Sequence, residues 1–404
     1  MSLVAAVGQS HALEGREAGA QAAKQALEQV GPAQAVFAWV IVSQAFPIQE
    51  AINGVMDILG SAALLGFSTS AELTGAGRSR RSVVVALFAG ADIQSRAGWW
   101  PDYAQDSRAI SQAMLRSLRP DGESEEILMV VADGVNGDAE DLCRTLPDGS
   151  FSLVGCLAGG ELWRGRTFQA GGRTSGSGGL AGAVLSGNIV AGLGAAHGWQ
   201  PVGALARLTR VQGQWVRMLD GLAVSETYSR LFGYPARSWS YPPLNDLVRL
   251  YPLGLPDVVS GSAGAGSAPL RVRAPLRMEA DGSLRMNSVL PEGEMVELLI
   301  GSPEACRQAV HQAARQARQA LGHTQPRLAL VLVDVAWQTL FDLDRTAEVD
   351  ALRQALGPDV PIAGGYTFGQ IARLQAQEPV QLLNQHMLIV LFGDKTVEPG
   401  GVVA

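Results

Sequence analysis

The chain has 404 residues, 47 % of them hydrophobic and 17 % charged, and a formal charge of −7 from 38 acidic against 31 basic side chains. That length holds two or three domains with cores of their own, the composition excludes bulk disorder, and an acidic surface without a basic block offers a phosphate backbone little to bind. Only Lys24 and Lys395 among the bases are lysines, neither in a G-x-x-x-x-G-K-[ST] loop, which removes P-loop nucleotide binding and Schiff-base chemistry.

Residues 1–8 lack the basic region of a signal peptide, and the longest apolar stretches, 35–42 and 83–91, fall far short of the ~20 residues a spanning helix needs. A cytoplasmic protein without membrane insertion is the expectation. A helical pattern then covers 14–30, a buried-strand run 36–43 and a second helix 48–59. They lead into Leu64-Leu65-Gly66-Phe67-Ser68-Thr69-Ser70-Ala71-Glu72-Leu73 and a further apolar run at 82–88. The order returns with a helix at 102–118, a run at 127–132, a helix at 138–146, the segment Leu153-Val154-Gly155-Cys156-Leu157-Ala158-Gly159-Gly160-Glu161-Leu162 and a run at 180–186. A third copy has a helix at 303–321, a run at 328–335, a helix at 346–356, Ile362-Ala363-Gly364-Gly365-Tyr366-Thr367-Phe368-Gly369-Gln370-Ile371 and a run at 386–392.

Between the second and third copies, 202–299 breaks the pattern into short strands at 205–211, 215–219, 270–278, 283–289 and 295–300, with turns at Gln212-Gly213 and Asp281-Gly282. The Gly/Ser-rich stretches 171–179 and 258–269 read as surface loops. The fold class is therefore α/β: three strand-helix-strand-turn-strand units in mixed sheets, with an antiparallel β-rich insertion between units two and three. Gly66, Gly155 and Gly364 are expected at equivalent strand ends.

A strand ending in glycine and small residues exposes backbone N–H groups that suit a carboxylate, and a neighbouring acid suits an ammonium. If the three turns converge, Ser68, Thr69, Glu72, Gly159, Glu161, Tyr366, Thr367 and Gln370 line a ligand-binding cleft. The bland alternative is that the glycines only permit tight turns and that Glu72 and Glu161 are solvated acids. His197, in Ala196-His197-Gly198-Trp199, is a haem-ligand candidate or, more ordinarily, a hydrogen-bonded core residue. Cys156 with His197 and a glutamate could form a hydrolase-like site, although no C-x-x-C or G-x-S-x-G frame supports it. Cys143, Cys156 and Cys306 have neither disulfide nor zinc spacing, and the Trp99-Trp100-Pro101 loop is either an interaction patch or a helix anchor.

Taken together, Val7-Gly8-Gln9-Ser10-His11, Ala18-Gly19-Ala20, the first Gly-rich segment, residues 196–203, Leu219-Asp220-Gly221, Pro291-Glu292-Gly293 and the third Gly-rich segment resemble the FIST sensory proteins in order and spacing. The resemblance implies an N-terminal FIST region over 1–215 and a C-terminal one over 216–404. It also implies a sensor, not an enzyme, that binds an amino-acid-like small molecule and relays it to a partner signalling protein. No cofactor is expected. One branch of the family is associated with haem and nitric-oxide sensing, which keeps His197 as a conditional ligand.

Overall fold

Runs such as Ala35–Ser43 carry apolar residues without alternation, so both faces of these strands must be covered. The computed structural model, which describes residues 3–119, 126–149, 151–256, 270–342 and 344–395, shows how. Three units share one arrangement. In the first, the strands Val4–Ser10, Val83–Ala89, Ala35–Ser43 and Ala63–Thr69 lie side by side in that order. In the second they are Ile93–Trp100, Leu180–Gly187, Ile127–Ala132 and Ser152–Leu157, and in the third Val190–Ala196, Met387–Gly393, Leu328–Asp334 and Ile362–Thr367. The last two strands of each set are parallel and joined by a helical crossover, while the strand that closes the unit runs antiparallel between the first and the third.

The inner faces of all three sheets share one core. Phe37, Trp39 and Ile41 meet Met129 and Val131 of the second unit and Leu330 and Leu332 of the third, with Phe88 set edge-on against Phe392 at 5.0 Å. The alternate residues Ala38, Val40 and Val42 face the helices of their own unit, as do Leu128 and Val130 in the second and Val331 and Val333 in the third. In unit one, the helices Gly15–Val30 and Ile48–Leu59 cross at glycine: a Cβ on Gly19 would lie 2.2 Å from the Ala51 carbonyl oxygen, and one on Gly54 would lie 1.9 Å from that of Arg16.

No unit completes its own sheet. After its second parallel strand, each chain segment leaves to form a hairpin on a neighbour. Glu72–Thr74 with Gly77–Ser79 extends the third sheet, Gln169–Gly171 with Thr174–Gly176 extends the first, and Gly369–Ala372 with Gln381–Leu383 extends the second. The exchange is cyclic. Ser43, Asp133 and Asp334 end the first parallel strands in equivalent places, each accepting the N–H two residues ahead, from Ala45 at 3.3 Å, Val135 at 2.9 Å and Ala336 at 3.0 Å.

The α/β class and the three units stand as expected, but several details do not. Gly66, Gly155 and Gly364 are equivalent, paired with Val40, Val130 and Val331, yet they lie inside strands and not at their ends. A Cβ there would come within 2.9, 2.3 and 2.2 Å of the paired valine's carbonyl oxygen, so close backbone approach and not turn formation requires glycine. The first strand of each unit, the hairpins and the helix Val224–Phe232 inside the insertion went unread. Residues 205–211 belong to a longer strand, Trp199–Gln212, and 270–278 splits into Leu270–Arg273 and Pro275–Met278, which pair with different neighbours.

Residues 171–179 are not a free loop, because the hairpin they contain packs against Trp99, where a Cβ on Gly176 would fall 2.3 Å from the indole. Trp99 and Trp100 accordingly sit half-buried on an edge strand and not in a loop, Trp99 against the common core and Trp100 against the cluster that holds Tyr103, Met114 and Leu118 at the following helix. The stretch 258–269 lies outside the described residues.

Helix propensity alone predicts that Gly54→Ala would stabilise the protein by about 1 kcal/mol, whereas the helix contact predicts a loss of about 1–3 kcal/mol. Urea unfolding of this variant should show the loss.

Candidate functional site

The Gly-rich segments do converge, at a joint between units. Ser68 Oγ donates to the Gly159 carbonyl at 2.8 Å and accepts the Phe168 N–H at 2.9 Å. Gly159 N–H returns to the Ser68 carbonyl at 2.9 Å. Thr69 Oγ1 lies 2.9 Å from the Tyr366 carbonyl oxygen and accepts the Tyr366 N–H at 2.9 Å, which ties the first unit to the third. Phe368 N–H donates to Leu157 O at 3.0 Å and ties the third to the second. Thr367 and Gln370 share a 2.9 Å hydrogen bond. Ser68, Thr69, Glu72, Tyr366, Thr367 and Gln370 are all fully buried. These side chains bind one another and the backbone around them, and none of them lines the cavities described below.

Glu161 is separate. It is exposed on a 3-10 turn and paired with Arg164 Nε at 3.0 Å. Matching the three Gly-rich segments residue for residue puts Glu161 opposite Glu72 and Gln370, but the strand register does not: Glu72 pairs with Gly365, Gln370 with Cys156 and Gln169 with Phe67, each partner one residue past the central glycine. Gln169, fully buried, is therefore the second unit's counterpart of Glu72 and Gln370.

Two of these three positions carry amides, and the third behaves like one. Glu72 Oε2 accepts the Ser82 N–H and hydroxyl, both at 2.8 Å, while Oε1 has no hydrogen-bond partner among the described residues. Burial pushes its carboxyl up to about 8, against the two Ser82 hydrogen bonds, so it is largely protonated at neutral pH. Gln169 Oε1 correspondingly accepts the Gly179 N–H at 3.2 Å, just ahead of its own returning strand.

Sequence reasoning also missed the charges that fasten the exchanged hairpin. Arg78 Nη1 lies 3.5 Å from Glu348 Oε1, with the two side chains 1 % and 0 % exposed, and the Tyr366 hydroxyl donates to the same oxygen at 2.5 Å. Glu348 sits in an Ala-rich helical pattern that reads as solvated, so only the tertiary contact distinguishes it.

The other candidates resolve as packed residues. His197 Nδ1 accepts the Trp199 N–H at 3.2 Å and its ring meets that of His386 edge-on at 4.7 Å. Both rings are half-buried, and His386 also forms part of the cavity wall described next. Cys156 is enclosed in the common core, and burial alone pushes its thiol far up. Its thiolate is not available as a nucleophile, which removes the Cys156/His197 hydrolase arrangement.

An open, charged site lies elsewhere. A cavity of about 500 Å³ opens where the helix Ala139–Thr145 of unit two, the strand Leu270–Arg273 of the insertion and the hairpin strand Gln381–Leu383 of unit three meet. Arg273, 6 % exposed, holds Glu140 through Nη2 and reaches the Leu382 carbonyl at 3.3 Å through Nη1. Asn384 braces the wall by accepting the Ala274 N–H at 3.1 Å. His386 completes it; burial first, then His197, depresses its imidazole to about 3, so it is neutral. The cavity thus presents a fixed guanidinium beside a carboxylate. Arg273 could have been suspected from an arginine at a buried position of an apolar strand, but nothing in the sequence links it to Glu140.

The FIST N domain model matches residues 36–222, and the FIST C domain model matches 226–373. No curated protein matches the sequence. Among solved structures the chain is similar to the crystal structure of a cyanuric acid hydrolase from A. caulinodans, at 12 % identity and a TM-score of 0.26, over 46 % of this chain and 71 % of that one. So low a score lends no weight to any functional comparison. Among the described residues no helix is long and apolar enough to cross a membrane.

Glu72 has a measurable signature. Its folded pKa lies above the unfolded value, so its contribution is fully present below pH 4.5 and is lost as pH rises towards 8. The stability of wild type relative to Glu72→Gln should fall by up to about 1.4 kcal/mol per pH unit across that window. Urea unfolding of both proteins at stepped pH reads the difference directly.

Proposed function

Because the chain belongs to the FIST family, whose domains are associated with small-ligand sensing in signal transduction, we propose that it is an intracellular sensor that binds an amino-acid-like molecule in the Arg273–Glu140 cavity and relays occupancy to a partner signalling protein. The observation that carries the reading is the oppositely charged pair on one cavity wall, a buried guanidinium beside a carboxylate that is partly exposed to the cavity. An α-carboxylate suits the forked guanidinium, and an α-ammonium suits the carboxylate. About 500 Å³ accommodates such a ligand with its side chain.

Mechanistically, the wall draws on two units and the insertion, so a ligand favours one placement of the insertion against the α/β body and shifts that population. The two regions, 1–215 and 216–404, are poorly suited to rocking as rigid bodies. Val190–Ala196 pairs with Met387–Gly393, and Glu72–Thr74 pairs with Ile362–Thr367, so parting the regions would break sheet hydrogen bonds. The insertion has its own core around Tyr228, Trp239 and Met286, and no sheet pairing joins its strands Leu270–Arg273 and Pro275–Met278 to the α/β sheets. The hub residues Ser68, Thr69, Gly159, Tyr366, Thr367 and Gln370 then act as the rigid frame behind the site.

Thermal shift across a panel of amino acids, with the matching amines and carboxylic acids, tests this. At least one amino acid should raise the melting temperature more than either half-analogue. Glu140→Gln should weaken binding by about 2–5 kcal/mol in isothermal titration while keeping the wild-type circular dichroism. The proposal fails if no amino acid shifts the melting temperature, or if Glu140→Gln binds the active one unchanged.

A further inference from the structure

A second cavity, of about 380 Å³, lies within the insertion, between the helix Val224–Phe232 and the strands Trp199–Gln212 and Met295–Gly301. Its walls are aliphatic: Leu205, Leu219, Leu222, Leu253, Val296 and Leu298. It sits beside a break in the pairing of the two strands between Pro201 and Leu205, where Gly203 adopts φ +76° and the strand bulges outward. Leu205 and Leu231 at its rim are 64 % and 45 % exposed, unusual for leucines in a folded domain with room to bury them.

Polar groups enter this apolar space from one side. Thr227, Arg230 and Leu231 lie on one face of the helix and all line the cavity. The Thr227 hydroxyl is out of solvent and has no hydrogen-bond partner among the described residues, not even the helical carbonyl four residues back that such a hydroxyl commonly takes. Arg230 is exposed and has no ion-pair partner among the described residues, whereas the other polar lining groups are engaged: Asp220 accepts the Arg207 N–H at 2.8 Å through Oδ1, and the Tyr228 hydroxyl donates to the Tyr251 carbonyl at 2.9 Å. An aliphatic slot with an uncommitted hydroxyl inside and an uncommitted guanidinium at its edge matches a molecule with an apolar chain and an anionic head.

We infer that this cavity binds an aliphatic monocarboxylate, its chain between the helix and the sheet, its carboxylate on Arg230 and the Thr227 hydroxyl. A buried hydrocarbon chain supplies most of the affinity. The charged hydrogen bond selects the head group. The site is independent of the Arg273–Glu140 cavity, and either can fail without the other.

The test uses the full chain with octanoate, octanol and octylamine, read by isothermal titration and by tryptophan fluorescence, since Trp239 meets the cavity-lining Tyr228 edge-on at 5.3 Å between ring centroids. Octanoate should bind saturably, one per chain, and more tightly than octanol or octylamine. Arg230→Gln should weaken octanoate by about tenfold or more and leave octanol unchanged. Leu231→Glu, at an exposed position that should not disturb folding, should abolish octanoate binding at an unchanged melting temperature. Absence of saturable octanoate binding, tighter binding of octylamine, or indifference of octanoate to both substitutions would overturn the assignment. So would self-association through the Leu205–Leu231 rim that octanoate does not displace.

Discussion

The structure depends on three twisted sheets burying their inner faces in one core while none supplies its own last strands. Phe37, Trp39 and Ile41 can be dry only if the sheets of the second and third units close over them. Each sheet in turn is extended by a hairpin sent from elsewhere in the chain. Removing one unit would expose both a core face and a strand edge, which is why the three cannot be treated as separable domains.

That arrangement determines where polar groups have to be buried. The segment leaving each second parallel strand must cross from its own sheet to a neighbour's, and its backbone must find partners on the way. Ser68 and Thr69 supply them with hydroxyls, Gln169 and Gln370 with amides, and Glu72 with a carboxyl that burial keeps largely protonated. Arg78, Glu348 and Tyr366 add a desolvated charge cluster at one crossing. Such a cluster contributes little net stability compared with an apolar one, but it penalises any misplaced hairpin because each charge would then be buried alone.

The joint is filled by its own side chains, and the two cavities proposed as binding sites lie outside it. The antiparallel strands and short helices of the insertion form a separate small core, and both cavities argued for above involve it: one at its boundary with the second and third units, one within it. The insertion is also tied to the three-sheet body, through Val272 and Leu276 in the body's clusters and through hydrogen bonds such as that from Asn287 to the Phe368 carbonyl at 3.0 Å.

The sequence by itself determined the elements whose signal is local. Apolar runs of strand length, helical spacing between them and the recurring apolar-apolar-Gly pattern gave the α/β class, the three units and the family. It also brought Ser68, Thr69, Tyr366 and Thr367 to one place, because the same pattern recurs where the strands converge. It did not determine what that place is for. Short strands such as Glu72–Thr74 and Gln169–Gly171 have three residues each and no periodicity to read, so the hairpin exchange stayed hidden. For the same reason Glu161 stood in for Gln169: a gapless alignment cannot see a 3-10 turn inserted between strand and hairpin. Arg78, Glu348, Arg273 and Glu140 carry the charge that matters, and each looks in isolation like a solvated side chain. Only the tertiary structure, by bringing residues 78 and 348 together out of water and setting the buried Arg273 against Glu140, makes a fixed charge of each, because desolvation depends on the neighbours the fold brings and not on the residue type.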